Sequence, residues 1–207
     1  MWVNYHTHCD FCDGAQPIHE IVEHARQQSL WHLGFSSHAP LPFEREWSMK
    51  SKHLNAYVDE VRKRNSESLP LSVGLEVDFI PGLVGPGDFR HKTDYIIGSI
   101  HFVDQLKDGE HWEADGPPSV FQKGFQEIFQ NKPKDLVHRY YSLTREMMSQ
   151  SPPDIVGHID KIKMHNKNSA LFNEDEYWYR HEVLDTLHTV KATGVIIEVN
   201  TRGWYQK

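Results

Sequence analysis

Short apolar runs alternate with longer stretches of helical period along the whole chain, and this alternation constrains the fold more than any other feature. The candidate strands are residues 2–6, 32–36, 71–77, 95–100, 154–158 and 195–200, bounded by Gly, Pro or polar residues. The candidate helices are residues 17–29, 51–65, 119–130, 134–149 and 175–193. Pro17 suits a first helical turn, and the last helix has a capping box of Asn173 with Glu176 and a terminating Gly194. Strands that alternate with helices predict an α/β fold with a parallel sheet covered on both faces. Residues 81–93 and 104–118 read as loops, and no linker divides the chain, so one domain over residues 1–207 is expected.

The polar residues fall in a pattern on this frame. The first candidate strand ends in His6-Thr7-His8, the second in Ser36-Ser37-His38, and the third carries Gly74-Leu75-Glu76. The fourth ends in Ser99-Ile100-His101, the fifth in Gly157-His158, and the sixth in Glu198-Val199-Asn200. Parallel strands place their C-terminal ends on one face, so these imidazoles and carboxylates are expected to converge. His6 and His8 are two residues apart, and in an extended strand both rings point the same way. His6, His8, His38, Glu76, His101 and His158 exceed the four ligands of one tetrahedral ion, so more than one metal is expected. Asp13 follows closely and is a good hard ligand, with Asp10 a weaker rival.

Composition narrows the reading. The chain has 15 histidines, and the strand-end residues account for only a few of them. His19, His24, His53, His138, His181 and His188 fall in candidate helices as solvated face residues, and His32 is expected to pack. His91, His111 and His165 sit in loops within reach of a site. A net charge of -7, from 22 basic and 29 acidic residues, argues against nucleic acid as partner. No apolar run approaches the ~18 residues of a membrane span, and the first residues do not read as a signal peptide. Two cysteines, Cys9 and Cys12, cannot make a disulfide framework and read as small residues in a tight loop, which leads to a cytoplasmic expectation.

These motifs, with Ser37-His38-Ala39-Pro40, Ser99-Ile100-His101-Phe102 and Gly157-His158-Ile159-Asp160, resemble those of the PHP (polymerase and histidinol phosphatase) superfamily. Phe35 to Pro42, Gly74 to Gly82 and Gly98 to Phe102 resemble its histidinol-phosphate phosphatases. The resemblance implies a distorted TIM-like barrel of seven β/α units with two or three divalent ions (zinc, iron or manganese) at its C-terminal face. It implies that His6 and His8 hold one ion and that Glu76 bridges it to a second, completed by His101 and His158. Asp13 and His38 serve the third, and Lys163 and Arg202 bind phosphate. Glu76, His101 and Arg202 are then the catalytic residues, and histidinol phosphate is the substrate, with no nucleic acid or membrane partner. Relatives carry a further Asp-x-His motif after the Asn200-Thr201-Arg202-Gly203 segment. Its absence here leads us to expect a fragment that lacks its last β/α unit. The rival readings are another phosphoesterase on the same scaffold, such as a tyrosine phosphatase or an exonuclease-like domain, and a non-catalytic metal-binding module.

Overall fold

A computed structural model describes residues 2–201. These residues form two compact units, one of residues 2–78, 82–98 and 153–155, the other of residues 79–81, 99–152 and 156–201.

In the first unit the chain runs β1 (Val3–Asn4), α1 (Ile18–Gln27), β2 (His32–Phe35), α2 (Leu54–Arg64), β3 (Leu71–Asp78) and β4 (Tyr95–Ser99). The strands lie in the order β1-β2-β3-β4. The β1–β2 and β2–β3 pairs are parallel, with Val3 opposite His32 and Gly34 opposite Ser72. Residues of both parities are buried, Leu33, Gly34 and Phe35 in β2 and Val73, Gly74, Leu75, Glu76 and Val77 in β3, which suits strands covered on both faces. Ile18, Val22 and Ala25 of α1, with Tyr57 and Val61 of α2, are the buried stripes of the covering helices. The N-terminal ends of two strands share one device. Asp94 accepts from Val73 N–H (2.8 Å) and is gripped by Arg62, and Asp154 accepts from Ile96 N–H (2.8 Å) and is gripped by Arg90.

Tyr95 holds the centre of this unit. Its hydroxyl bonds to the carbonyls of Tyr5 (2.6 Å), directly before His6, and Phe35 (3.1 Å), three residues before His38. Its ring lies against Gly34 and Gly74, where an added Cβ would collide with the phenol. Glycine is required at both positions because the ring takes the space a side chain would fill.

The second unit contains β5 (Phe102–Gln105), β6 (His111–Glu113), α3 (Pro118–Glu127), α4 (Pro133–Gln150), Val156 of β7 (Ile155–Val156), α5 (Tyr177–Thr193) and β8 (Ile196–Ile197). Its core gathers Trp112, Phe121, Phe125, Leu136, Tyr140, Met147 and Phe172 among others. Glu198 N–H donates to Val156 O (3.0 Å), and its carboxylate accepts from His158 N–H (2.7 Å).

Three expectations are corrected here. Residues 104–118 are not simply a loop: β5 and β6 form an antiparallel hairpin across Asp108-Gly109, with Gly109 at φ 85°. An Asp-Gly turn between two short apolar runs is a hairpin signal, and Trp112 anchors the strand by burial. The capping box on α5 is also absent. The N-cap is Glu176, without a side-chain cap, because Asn173 Oδ1 instead accepts from Asp175 N–H (2.9 Å). The C-terminal end is as expected, with Gly194 left-handed at φ 73°. Candidate helix 51–65 opens as a 3-10 turn over Ser51–His53 before α2.

Replacing Gly74 by Ala forces Tyr95 aside and is expected to destabilise the protein by about 1–3 kcal/mol. Urea denaturation checks this, and an unchanged midpoint contradicts it.

Candidate metal centre

The ends of three parallel strands build one cluster in the first unit. Beyond β1 and β2 the pairing continues irregularly: Ser36 N–H donates to Thr7 O (2.8 Å), and Thr7 N–H donates back to Ser36 Oγ (3.1 Å). These bonds flank Thr7 and fix the chain on which His6 and His8 ride. Glu76 N–H donates to the carbonyls of Ser36 and Ser37, Ala39 N–H donates to Glu76 O (2.8 Å), and His38 pairs with Glu76 as a parallel bridge. The backbone therefore sets the mutual positions of His6, His8, His38 and Glu76.

Three imidazoles surround one carboxylate oxygen. Glu76 Oε2 lies 3.2 Å from His6 Nε2, 3.0 Å from His8 Nε2 and 3.3 Å from His38 Nδ1. The Glu76 side chain is 1% exposed. Nitrogen and oxygen ligands held at ~2.1 Å by a tetrahedral ion sit about 3.4 Å apart, so these separations match ligands sharing an ion. His8 Nε2 adds a sharper test. It is buried and makes no hydrogen bond among the described residues, although Glu76 is close. A buried ring nitrogen aimed into a polar cluster, but not at a hydrogen-bond partner, suits metal ligation once its proton is displaced. The residues present therefore fit a divalent cation. The ligand atoms of His6, His8 and Glu76 lie within 4.8 Å of one another, and so do those of His8, Asp13 and His38.

Asp13 lies beside the same histidines. Its Oδ1 is 2.7 Å from His8 Nδ1 and its Oδ2 is 4.0 Å from His38 Nε2. A carboxylate on the far nitrogen fixes the ring and its tautomer, which leaves Nε2 for an ion. Burial alone lowers the pKa of His8, but the contacts to Asp13, Cys12 and Glu76 outweigh it and push the value up to about 12. Burial raises Asp13 while His8 pulls it down, and the net effect leaves its carboxyl well below the usual range. Without an ion, the two form an imidazolium–carboxylate pair.

The second unit carries its own pair of imidazoles. His101 and His158 are buried, with ring centroids 5.2 Å apart. Tyr140 Oη donates to His158 O at 3.4 Å.

Comparisons with known proteins identify the family. The PHP domain family model matches residues 4–202. The chain belongs to the PHP-domain family. A curated relative from Schizosaccharomyces pombe, named a probable histidinol-phosphatase, is 24% identical over 229 residues, spanning 99% of this chain and 72% of its own. A solved structure of a candidate histidinol phosphatase from Listeria monocytogenes has a TM-score of 0.80 at 20% identity, covering 99% of this chain and 84% of that one. A second, histidinol phosphate phosphatase from Lactococcus lactis with zinc, L-histidinol and phosphate, has a TM-score of 0.64 at 15% identity, covering 97% and 73%. The PHP-type, TIM-like α/β fold expected from the motifs is borne out.

The other candidates of this PHP domain divide sharply. Lys163 is engaged by Glu174 (2.9 Å) and Asp160 (3.7 Å). Arg202 lies outside the described residues. Asp10 is exposed. His32 packs as expected, stacked on Tyr5 and 2.8 Å from Ser72 Oγ. His165 stacks on Phe121 and meets Gly116 O (2.9 Å). No helix of the described residues is long and apolar enough to cross a membrane. Cys9 and Cys12 do form a tight turn, with Cys12 N–H on Cys9 O (3.0 Å). Motif reasoning missed that Cys12 Sγ reaches Asp13 Oδ1 (3.4 Å). Its adjacency to Asp13 was the available signal.

Loading of the first-unit cluster must expel the His8 proton, because an ion at Nε2 replaces that hydrogen. The affinity for zinc is therefore expected to fall about tenfold for each unit of pH lowered from 8 to 6. Competition against a chelator measures it, and a pH-independent affinity contradicts the assignment.

Proposed function

We propose that this chain is a metal-dependent phosphomonoester hydrolase that converts L-histidinol phosphate to L-histidinol and phosphate, as a cytoplasmic enzyme of histidine biosynthesis. The observation that carries this reading is the convergence of His6, His8 and His38 on the buried Oε2 of Glu76. The names of the S. pombe and L. lactis relatives support the choice of substrate.

His6, His8 and Glu76 hold one ion, and Asp13 orients His8 while joining His38 at a third position. By the order of the motifs, Glu76, His101 and His158 serve the second. Mixed imidazole and carboxylate ligands suit zinc, iron or manganese. Ions so bound lower the pKa of water toward ~7 and neutralise charge on phosphoryl oxygens. The residues supply the rest. Glu76 gives the cluster its negative charge and keeps three imidazoles facing one point. The Asp13 carboxylate holds the His8 proton on Nδ1, so that Nε2 stays a lone-pair donor. Lys163 and Arg202 are the cationic side chains for the phosphate. Lysine acts there as a point charge, while arginine can fork onto two oxygens. Lys163 must exchange Glu174 for phosphate to do so.

The test is a substrate panel with zinc- or manganese-loaded protein. Histidinol phosphate is expected to be hydrolysed in preference to a phosphotyrosine peptide or an oligonucleotide, and E76A is expected to lose more than about 100-fold in kcat/KM. Faster turnover of the peptide or the oligonucleotide overturns the substrate assignment. Full activity of E76A overturns the metal role.

A further inference from the structure

The second unit contains a largely buried ion pair that the reading above does not use. Lys161 Nζ lies 3.1 Å from Asp115 Oδ2, with side chains 23% and 17% exposed. Desolvation offsets much of the attraction in such a pair, so stability alone is a poor account of it. Its location is more informative. Asp115 sits in the loop between β6 and α3, directly after Ala114, whose N–H donates to His101 O (2.9 Å). Lys161 opens a 3-10 turn after β7, and its own N–H donates to His158 O (2.8 Å). Each charged partner is thus tied by a backbone hydrogen bond at or next to it to one of the two histidines. The side-chain bridge then closes a circuit through His101, Ala114, Asp115, Lys161 and His158.

We propose that the Asp115–Lys161 pair is a positioning device that fixes the separation of the His101 and His158 imidazoles for a shared metal ion. This rests on the reading of those two histidines as metal ligands. The two loops are separated in sequence by α3 and α4, so small relative shifts of either move one ring and not the other. An ion pair anchored at both ends resists that shift. Lys161 holds the Asp115 carboxylate in place. Neither residue is assigned contact with substrate.

The experiment reads metal rather than turnover. The full chain is loaded with zinc or cobalt(II), and retention is followed by chelator competition and by the cobalt absorption bands. H101A serves as the benchmark for loss of one ion. K161M and D115N are each expected to weaken one metal site by about 10–100-fold and to alter the cobalt bands. K161R restores both readouts, and the double variant D115N/K161M is no worse than either single change, because both break one bridge. Asp115→Asn is nearly isosteric and keeps the test sharp should K161M fold poorly, with circular dichroism of the loaded protein as the folding control. If H101A loses an ion while D115N and K161M keep wild-type retention and bands, the pair is not a positioning device. If H101A loses no ion, the ligand reading of His101 fails and the inference falls with it. A raised KM for phosphate esters with unchanged metal retention makes Lys161 a substrate contact and overturns the proposal.

Discussion

A carboxylate buried to near completion needs compensation, and Glu76 finds it in three imidazoles directed at one of its oxygens. An isolated ionised carboxylate in such a place is very costly, so the group must be paired, neutralised or bound to a cation. Much of the first unit serves to make that arrangement unavoidable. The strand β3 carries Glu76 to the interior, and its backbone is locked to Ser36, Ser37 and Ala39 before any side chain is considered. His38 is its bridge partner in the adjacent chain segment. Because these positions are fixed by main-chain hydrogen bonds, the cluster is preorganised rather than assembled by a ligand.

Support for this frame comes from two buried tyrosines. Tyr95 bonds to carbonyls on two neighbouring segments and lies on two glycines, so β1, β2, β3 and β4 register through one side chain. Tyr57 contributes similarly, donating to Gly74 O (2.8 Å), two residues before Glu76. Arg62 and Arg90 hold the acidic residues that start the later strands. A change in any of these contacts reaches the cluster through the strand ends, without altering a ligand.

Sequence legibility follows the range of the interactions. His6 and His8 were readable because the strand period alone puts them on one face, and His38 and Glu76 because parallel strands share an end. The hairpin at β5 and β6 was signalled by Asp108-Gly109, but its strands are too short for a clear alternation. Asn173 shows that a matching capping pattern does not fix its partner: the side chain closed a local turn instead. The resemblance pointed to Lys163 and was silent on Lys161. Which acidic residue each meets depends on contacts between distant segments, with Glu174 for one and Asp115 for the other. The same holds for Asp13, whose nearness to His8 was legible while its contact with the far ring nitrogen was not.

Anomalous diffraction at the zinc edge, from crystals of the full chain grown with zinc, tests the account most directly. It predicts a peak at bonding distance, about 2.0–2.2 Å, from His6 Nε2, His8 Nε2 and a Glu76 oxygen, with His8 Nδ1 still on Asp13. A fully zinc-loaded crystal with no peak there, and with Glu76 hydrogen-bonded to protonated imidazoles, contradicts it.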